Sequence, residues 1–269
     1  MADPFLGIDA KLNRAEEHLQ VLDGYITTYL EDKPYRFVAE EHTDGHYYHF
    51  AISLEVYPFP PDEVWGPLIG DAIHNLRSAL DHIAWHFSLP KARQDNPNRI
   101  EFPVFIDDPA KRPDLRGALN KKLGYLRPEF HAIVDGAQPY KTGNTHHPMW
   151  LLERLWNNDK HRTIHTSGFF FGTPSEDPQV FGYSPGHFGP FARDDPKHRA
   201  PLASGFGNTP QDVDDRVNTY KNMTVDVALG DGGSATRDAP YAGLPIRHTL
   251  RRIRAFVVER VVEPSRSLA

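Results

Sequence analysis

One stretch constrains the fold more than any other. Over residues 62 to 87, Leu68, Ile69, Ala72, Ile73, Leu76, Ala79, Leu80, Ile83 and Phe87 fall on one side of a helix. A helix of that length with so wide an apolar face has to be covered by other elements, because packing rather than propensity supplies most of its stability. The opposite side carries Asp71, His74, Asn75, Arg77, Ser78, Asp81 and His82, and between residues 64 and 90 there is neither a Lys nor a Glu. A solvated face uses those two residues freely. A stripe of short, hydrogen-bonding, titratable side chains is built to face a cleft or another helix.

The remaining pattern reads as α+β and helix-rich. Over residues 6 to 30, Leu12, Leu19, Leu22 and Ile26 stand among charges at the spacing of a long surface helix. Aromatic and β-branched runs from 35 to 40 and from 47 to 56 flank Asp44-Gly45, which predicts a β-hairpin. Asp62, after Pro60-Pro61, is placed to cap the central helix. Shorter helices are expected over 113 to 123 and 128 to 135, and a stronger one from Pro148 that closes in Asn157-Asn158-Asp159-Lys160-His161-Arg162.

From 172 to 210, 13 of 39 residues are Gly or Pro, which with Phe181, Tyr183, Phe188 and Phe191 predicts an irregular aromatic loop, a lid or a partner-binding surface. Residues 222 to 229 alternate as a strand before Gly230-Asp231-Gly232-Gly233, and residues 245 to 262 form a last helix with Arg247, His248, Arg251, Arg252 and Arg254 on its outer face. The expectation is a single domain over 1–269: a helical bundle core with a hairpin insertion at 33–57 and a strand/loop region at 166–244.

A chain of 269 residues that is 39% hydrophobic can bury a sizeable core. With no cysteine, it has neither disulfides nor thiolate metal sites, so any metal would need His and carboxylate ligands. No apolar run approaches the roughly 20 residues that span a bilayer, and Met1-Ala2-Asp3-Pro4 does not begin a secretory signal, so the chain is expected in the cytoplasm and off the membrane. The net charge of −6 argues against broad, non-specific nucleic-acid binding without excluding an RNA substrate. Phosphate-loop, nucleophile-elbow and dinucleotide motifs are absent.

At helical spacing His74, Ser78 and Asp81 project within about 60° of one another, with Arg77 at one margin and Asn75 and His82 at the other. Arg77 can pair with Asp81, and Ser78 can hydrogen-bond His82, each pair being four apart. Arg77-Ser78-Ala79-Leu80-Asp81-His82 also has the Arg-x4-His spacing of the HEPN superfamily of helical nucleic-acid-associated proteins, which it resembles. The resemblance implies a homodimer in which two copies of the motif face each other. His82 would serve as general acid or base at an RNA 2′-hydroxyl or leaving oxygen, Arg77 would neutralise charge developing on the phosphoryl group, and Asp81 would orient its neighbours. Such chemistry needs no metal or other cofactor.

Taken together, Gly70-Asp71-Ala72-Ile73-His74-Asn75-Leu76-Arg77-Ser78-Ala79-Leu80-Asp81-His82 and Asn158-Asp159-Lys160-His161-Arg162 are similar to the paired signatures of a family of bacterial proteins with no assigned activity. Arg77, Asp81, His74 and His82 are the catalytic candidates, and Asn75, Ser78, Asn158, Asp159, Lys160, His161 and Arg162 the binding ones.

Three other readings stay open. The stripe equally fits a buried polar network that locks helices together, and Lys160, His161 and Arg162 equally fit a helix C-terminus whose carbonyls attract cations. A non-catalytic interaction or scaffold protein would use the aromatic Gly/Pro-rich segment to bind a partner. A metal-dependent hydrolase would use His74, Asp81 or His82 with Asp159 and His161. His146-His147 could hold a metal or phosphate, or start the helix that follows. The basic C-terminal helix could meet RNA or an acidic partner, or be merely solvated.

Overall fold

Leucines and isoleucines at helical spacing make the two longest elements of the computed structural model, α1 (Leu6–Glu31) and α2 (Asp62–His86). The structure describes residues 3–43, 45, 47–142, 146–160, 164, 166–172, 199–207, 209–221, 224–230, 241 and 243–269. The two helices run antiparallel: Phe5 meets His86 at one end, with ring centroids 5.9 Å apart, and Tyr29 meets Trp65 edge-on at the other, 5.3 Å apart. Between them α1 buries Ile8, Leu12, Leu19, Leu22 and Ile26, and α2 buries Trp65, Ile69, Ile73, Leu76, Leu80 and Ile83. Each such side chain contributes about 2 kcal/mol of hydrophobic stabilisation.

The connection between these helices is β1 (Tyr35–Thr43) and β2 (Tyr48–Val56), antiparallel in the register that places Tyr35 opposite Val56 and Thr43 opposite Tyr48. Gly45 takes φ +93 at the turn, a left-handed conformation that glycine adopts without strain, whereas its partner in the expected turn, Asp44, lies outside the described residues.

The hairpin does not end the sheet. A later strand, β4 (Arg199–Gly207), pairs antiparallel with β2 to give the order β1-β2-β4. It arises inside the segment expected to be irregular, because β2 offers a free edge whose N–H and C=O groups supply the order that a Gly- and Pro-containing run lacks locally. Phe181, Tyr183, Phe188 and Phe191 lie outside the described residues.

The elements after α2 are α3 (Pro90–Asp95), α4 (Pro113–Leu123), α5 (His131–Gly136), α6 (Pro148–Asp159), β3 (Thr166–Gly172), β4 (Arg199–Gly207), α7 (Pro210–Lys221), β5 (Thr224–Leu229) and α8 (Ile246–Val257). α8 continues through a π-helical turn, Val258–Val262, into a last turn, Glu263–Arg266. The helix α7 is capped by a reciprocal pair: Asp212 N–H donates to Thr209 Oγ1 (3.2 Å), and Thr209 N–H to Asp212 Oδ2 (3.0 Å). Its Val213 packs with Phe50 and Ile52 of β2 in a small second core. β3 pairs antiparallel with β5. Of the expected turn after β5, only Gly230 is described. The architecture is helix-rich α+β.

Two local expectations change. The N-cap of α2 is Pro61, and Asp62 does not cap; its buried carboxylate accepts from the Thr166 N–H (2.8 Å) and from the Thr166 hydroxyl, fastening the start of β3 to the start of α2. The basic face of α8 is not simply solvated either. Arg251 pairs with Asp23, Arg254 with Glu16 (2.9 Å) and, past the end of α8, Arg266 with Asp9, so that acids of α1 meet arginines of the C-terminal segment along its length. Arg247 pairs with Asp226 of β5 (2.9 Å). Among the described residues, no helix is long and apolar enough to cross a membrane.

Candidate functional site

The polar stripe of α2 divides between two neighbours. Its Arg77 margin turns toward α6 and the chain around Phe102. Arg77 is only 4% exposed: Nη2 donates to the Phe102 carbonyl at 2.9 Å and lies 3.2 Å from Asp81 Oδ1, Nη1 donates to Glu153 Oε2 at 3.3 Å, and the guanidinium stands 5.0 Å from the centre of the Trp156 ring. Asp81 Oδ1 also accepts from the Phe102 N–H at 2.9 Å. Burial pushes the Asp81 carboxyl above its ordinary value, and Glu101 pushes the same way, against the opposing pull of Arg77 and the Phe102 N–H. The expected Arg77–Asp81 pair is present, as one part of a larger network.

About two turns before Arg77 the two sequence signatures meet. Gly70 of α2 faces Asp159 at the end of α6, and a Cβ at Gly70 would stand 2.8 Å from the Asp159 carboxyl carbon. Burial, followed by repulsion from Asp71, raises the Asp159 pKa, while His74 lowers it. Asp71, His74 and Asp159 therefore share one electrostatic neighbourhood at the rim of the α2–α6 contact. Asn75 is buried and donates Nδ2–H to the Asp71 carbonyl at 2.8 Å. Asn158 is half-buried, Lys160 lies over the Trp156 ring, and His161 and Arg162 lie outside the described residues.

His82 belongs to the other margin. It is exposed on the α1 side, where a Cβ at Gly7 would come 3.5 Å from its Nδ1. His86, one turn further, packs on Phe5, and its pKa is lowered by burial and by Arg127 and Arg93. Ser78 is half-buried between the margins, and no hydrogen bond joins it to His82 among the described residues. The exposed imidazoles of His74 and His82 stand eight residues apart, about 12 Å along the helix axis. Among the described residues, no group of three His, Asp or Glu side chains is placed to hold a metal ion.

Compared with known proteins, the chain matches no family model, and no curated protein and no solved structure is found to be similar to it. Its site is therefore read from geometry. Two residues that complete the Arg77 network, Glu153 and Trp156, escape a reading centred on titratable motifs. The available signal is their spacing with Lys160, at i, i+3 and i+7 on one side of α6. The third partner, the Phe102 carbonyl, is a backbone group and carries no sequence signal.

Within the network both Nη atoms of Arg77 are partnered, while its Nε is a buried donor for which no acceptor stands among the described residues. The Arg77 Nη atoms already face two carboxylates, a carbonyl and a ring, which leaves the outer stripe of His74, Ser78 and His82 as the part of α2 that can meet a ligand. A separate cavity of about 540 Å³, lined by Asp108, Arg116, Leu119, Tyr140 and Lys141 among others, includes none of these residues.

Proposed function

We propose that the protein is a cytoplasmic, HEPN-like RNA-binding protein in which the Arg-x4-His segment holds the fold together and does not cut RNA. The observation that carries this reading is the enclosure of Arg77. Stabilising a phosphoryl transition state requires N–H groups aimed at the developing charge; the Nη groups of Arg77 are committed to Phe102, Asp81 and Glu153, and its Nε is buried inside the fold. Taking Arg77 out of that network would leave two carboxylates of α2 and α6 without their shared cation.

The RNA part of the reading comes from the sequence resemblance. It is supported by the outer stripe of α2, where His74, His82 and Trp85 are exposed and offer two imidazoles and an indole on which bases can stack. In the same reading two copies pair across the outer faces of α1 and the start of α2, where Val21, Tyr25 and Val64 are exposed apolar side chains.

The test combines fluorescence anisotropy on labelled single-stranded and hairpin RNAs with a cleavage assay in EDTA. Saturable binding without cleavage supports the reading. Cleavage that disappears in a folded His82→Ala variant overturns it in favour of a metal-independent ribonuclease. Failure to bind either RNA overturns it in favour of an interaction or scaffold protein.

A further inference from the structure

The cavity that stands apart from α2 has walls fixed by hydrogen bonds, one set of them deeply buried. Gln138 is only 1% exposed: its Oε1 accepts the Phe105 N–H at 2.9 Å, and its Nε2 donates to the Pro103 and Val134 carbonyls, each at 2.8 Å. This one side chain joins the segment that runs from Pro103 toward Asp108 to the single helical turn Pro139–Lys141, which carries Tyr140 and Lys141. The turn at Asp108 is closed on itself: Oδ1 accepts the Ala110 N–H at 2.8 Å, and the Asp108 carbonyl accepts the Lys111 N–H at 3.0 Å. Arg116 of α4 donates Nη2–H to the Ala110 carbonyl at 2.6 Å and so ties a third wall to that turn. A space of about 540 Å³ is within the size range of small-molecule sites, and walls tied together in advance lower the cost of binding.

The lining carries two opposite charges at one end and an apolar surface beside them. Ala110 links the charges: its N–H is held by the Asp108 carboxylate and its carbonyl by the Arg116 guanidinium, so the two lining groups stand on either side of one residue. Among the described residues, Arg116 pairs with no carboxylate, whereas Arg112, one turn earlier, takes both Asp107 (3.1 Å) and Asp114 (3.0 Å). Asp108 lies 3.8 Å from Lys111 Nζ, at the outer limit of an ion pair. The apolar part is Pro109, which is buried, with Leu119 and the Tyr140 ring, which are half-buried. Arg116 and Leu119 are three residues apart and share one side of α4. Tyr140 and Lys141 are both anchored on Asp135, at 3.3 Å and 2.6 Å, which fixes the aromatic wall from outside the lining.

A ligand that meets this lining has an anion and a cation close together and a flat apolar body attached to them. A guanidinium recognises a carboxylate through paired N–H groups, a carboxylate accepts from an ammonium, and a ring packs against aromatic and aliphatic side chains. We propose that the cavity binds a free aromatic α-amino acid, with its carboxylate on Arg116, its ammonium on Asp108 and its ring against Tyr140, Leu119 and Pro109. The site shares no residue with α2 and does not depend on the reading of Arg77.

The test is isothermal titration calorimetry of the full-length protein with L-phenylalanine and L-tryptophan. Three fragments accompany them: phenethylamine, which lacks the carboxylate, 3-phenylpropionate, which lacks the ammonium, and L-alanine, which lacks the ring. The expected result is saturable binding of at least one of the aromatic amino acids, with every fragment at least about tenfold weaker. Asp108→Asn keeps the acceptor for the Ala110 N–H and removes the charge, so it should weaken the amino acid and leave 3-phenylpropionate unchanged. Leu119→Trp fills the space with every charge in place and should abolish binding, and Arg99→Ala, at an exposed arginine elsewhere, should bind as the wild type does. No saturable binding of either amino acid overturns the proposal, as does a fragment that binds equally well, or undiminished affinity in folded Leu119→Trp. An equal loss of amino acid and 3-phenylpropionate in Asp108→Asn also overturns it, since that reports a change of shape rather than a lost charge. Tighter binding of AMP than of either amino acid overturns it in favour of a nucleotide site.

Discussion

Asp159 of α6 occupies the space that a side chain at Gly70 of α2 would need. A Cβ there would lie 2.8 Å from the Asp159 carboxyl carbon, so Gly70→Ala forces Asp159 out of its rotamer even though alanine is the better helix former. The two substitutions should couple. Gly70→Ala is expected to destabilise the wild type and to be neutral or stabilising in an Asp159→Ala background. A double-mutant cycle by urea denaturation should give a coupling energy of about 1 kcal/mol, and additive effects would mean that the close approach is absent in solution.

Arg77 is expected to behave as a structural residue. Arg77→Ala leaves Asp81 and Glu153 without their cation and the Phe102 carbonyl without its donor, at a cost of about 3 kcal/mol. Removing the stranded charges as well, in Arg77→Met with Asp81→Asn and Glu153→Gln, should recover most of that loss. His82→Ala, at an exposed position, should shift the urea midpoint little.

Stability should fall as the solution is acidified through the histidine range. His86, His146, His147 and His248 have folded pKa values below the ordinary 6.5, because of burial and then nearby arginines, so the unfolded chain binds protons first as pH drops. Their contribution is therefore present above pH 6.5 and is lost as pH falls through the lowered values. Asp81 and Asp159 act in the opposite sense: raised above 3.8 when folded, they take up protons first in the native state and stabilise it as pH falls toward 3.8. Thermal melts at pH 7.5, 6 and 5 should decline, and His248→Gln should flatten the decline. A pH-independent melting temperature would contradict the assignment.

The ion pairs between α1 and the C-terminal segment should be interchangeable in sign. Asp23→Arg and Arg251→Asp are each expected to cost about 0.5 kcal/mol, because Arg251 is largely exposed, and the double exchange should restore the loss at low salt but not add to it at high salt. Since these arginines are neutralised within the chain, Arg251→Ala with Arg254→Ala should leave RNA affinity unchanged, in contrast to a solvated basic helix that binds RNA directly.

Periodicity made α1, α2, α4, α6 and α8 legible, and Asp44-Gly45 placed the hairpin, because each depends on side chains close together in sequence. The strand β4 was not legible: a run of Gly and Pro with no local preference becomes ordered only when β2 offers its edge. The helix α7 did carry a local sign, the Thr209-x2-Asp212 capping pair, just past the Gly- and Pro-rich run and inside the region expected to hold strand and loop. At the site, the Arg77–Asp81 pair followed from four-residue spacing, but Glu153, Trp156 and the Phe102 carbonyl come from other elements.

The sequence alone determined that α2 would bury one face and keep Lys and Glu off the other, since hydrophobic burial and helical spacing act within a single segment. It also put the Gly70 and Asp159 signatures on two helices. Only the tertiary structure decided which neighbour each margin of the stripe meets: Arg77 closes against α6, His82 is left beside α1, and among the described residues Arg252 has no counter-ion while Arg251 and Arg254 are paired. The reason is that burial and charge pairing depend on distances between segments far apart in the chain, and those are set by how the helices pack rather than by the residues on any one of them.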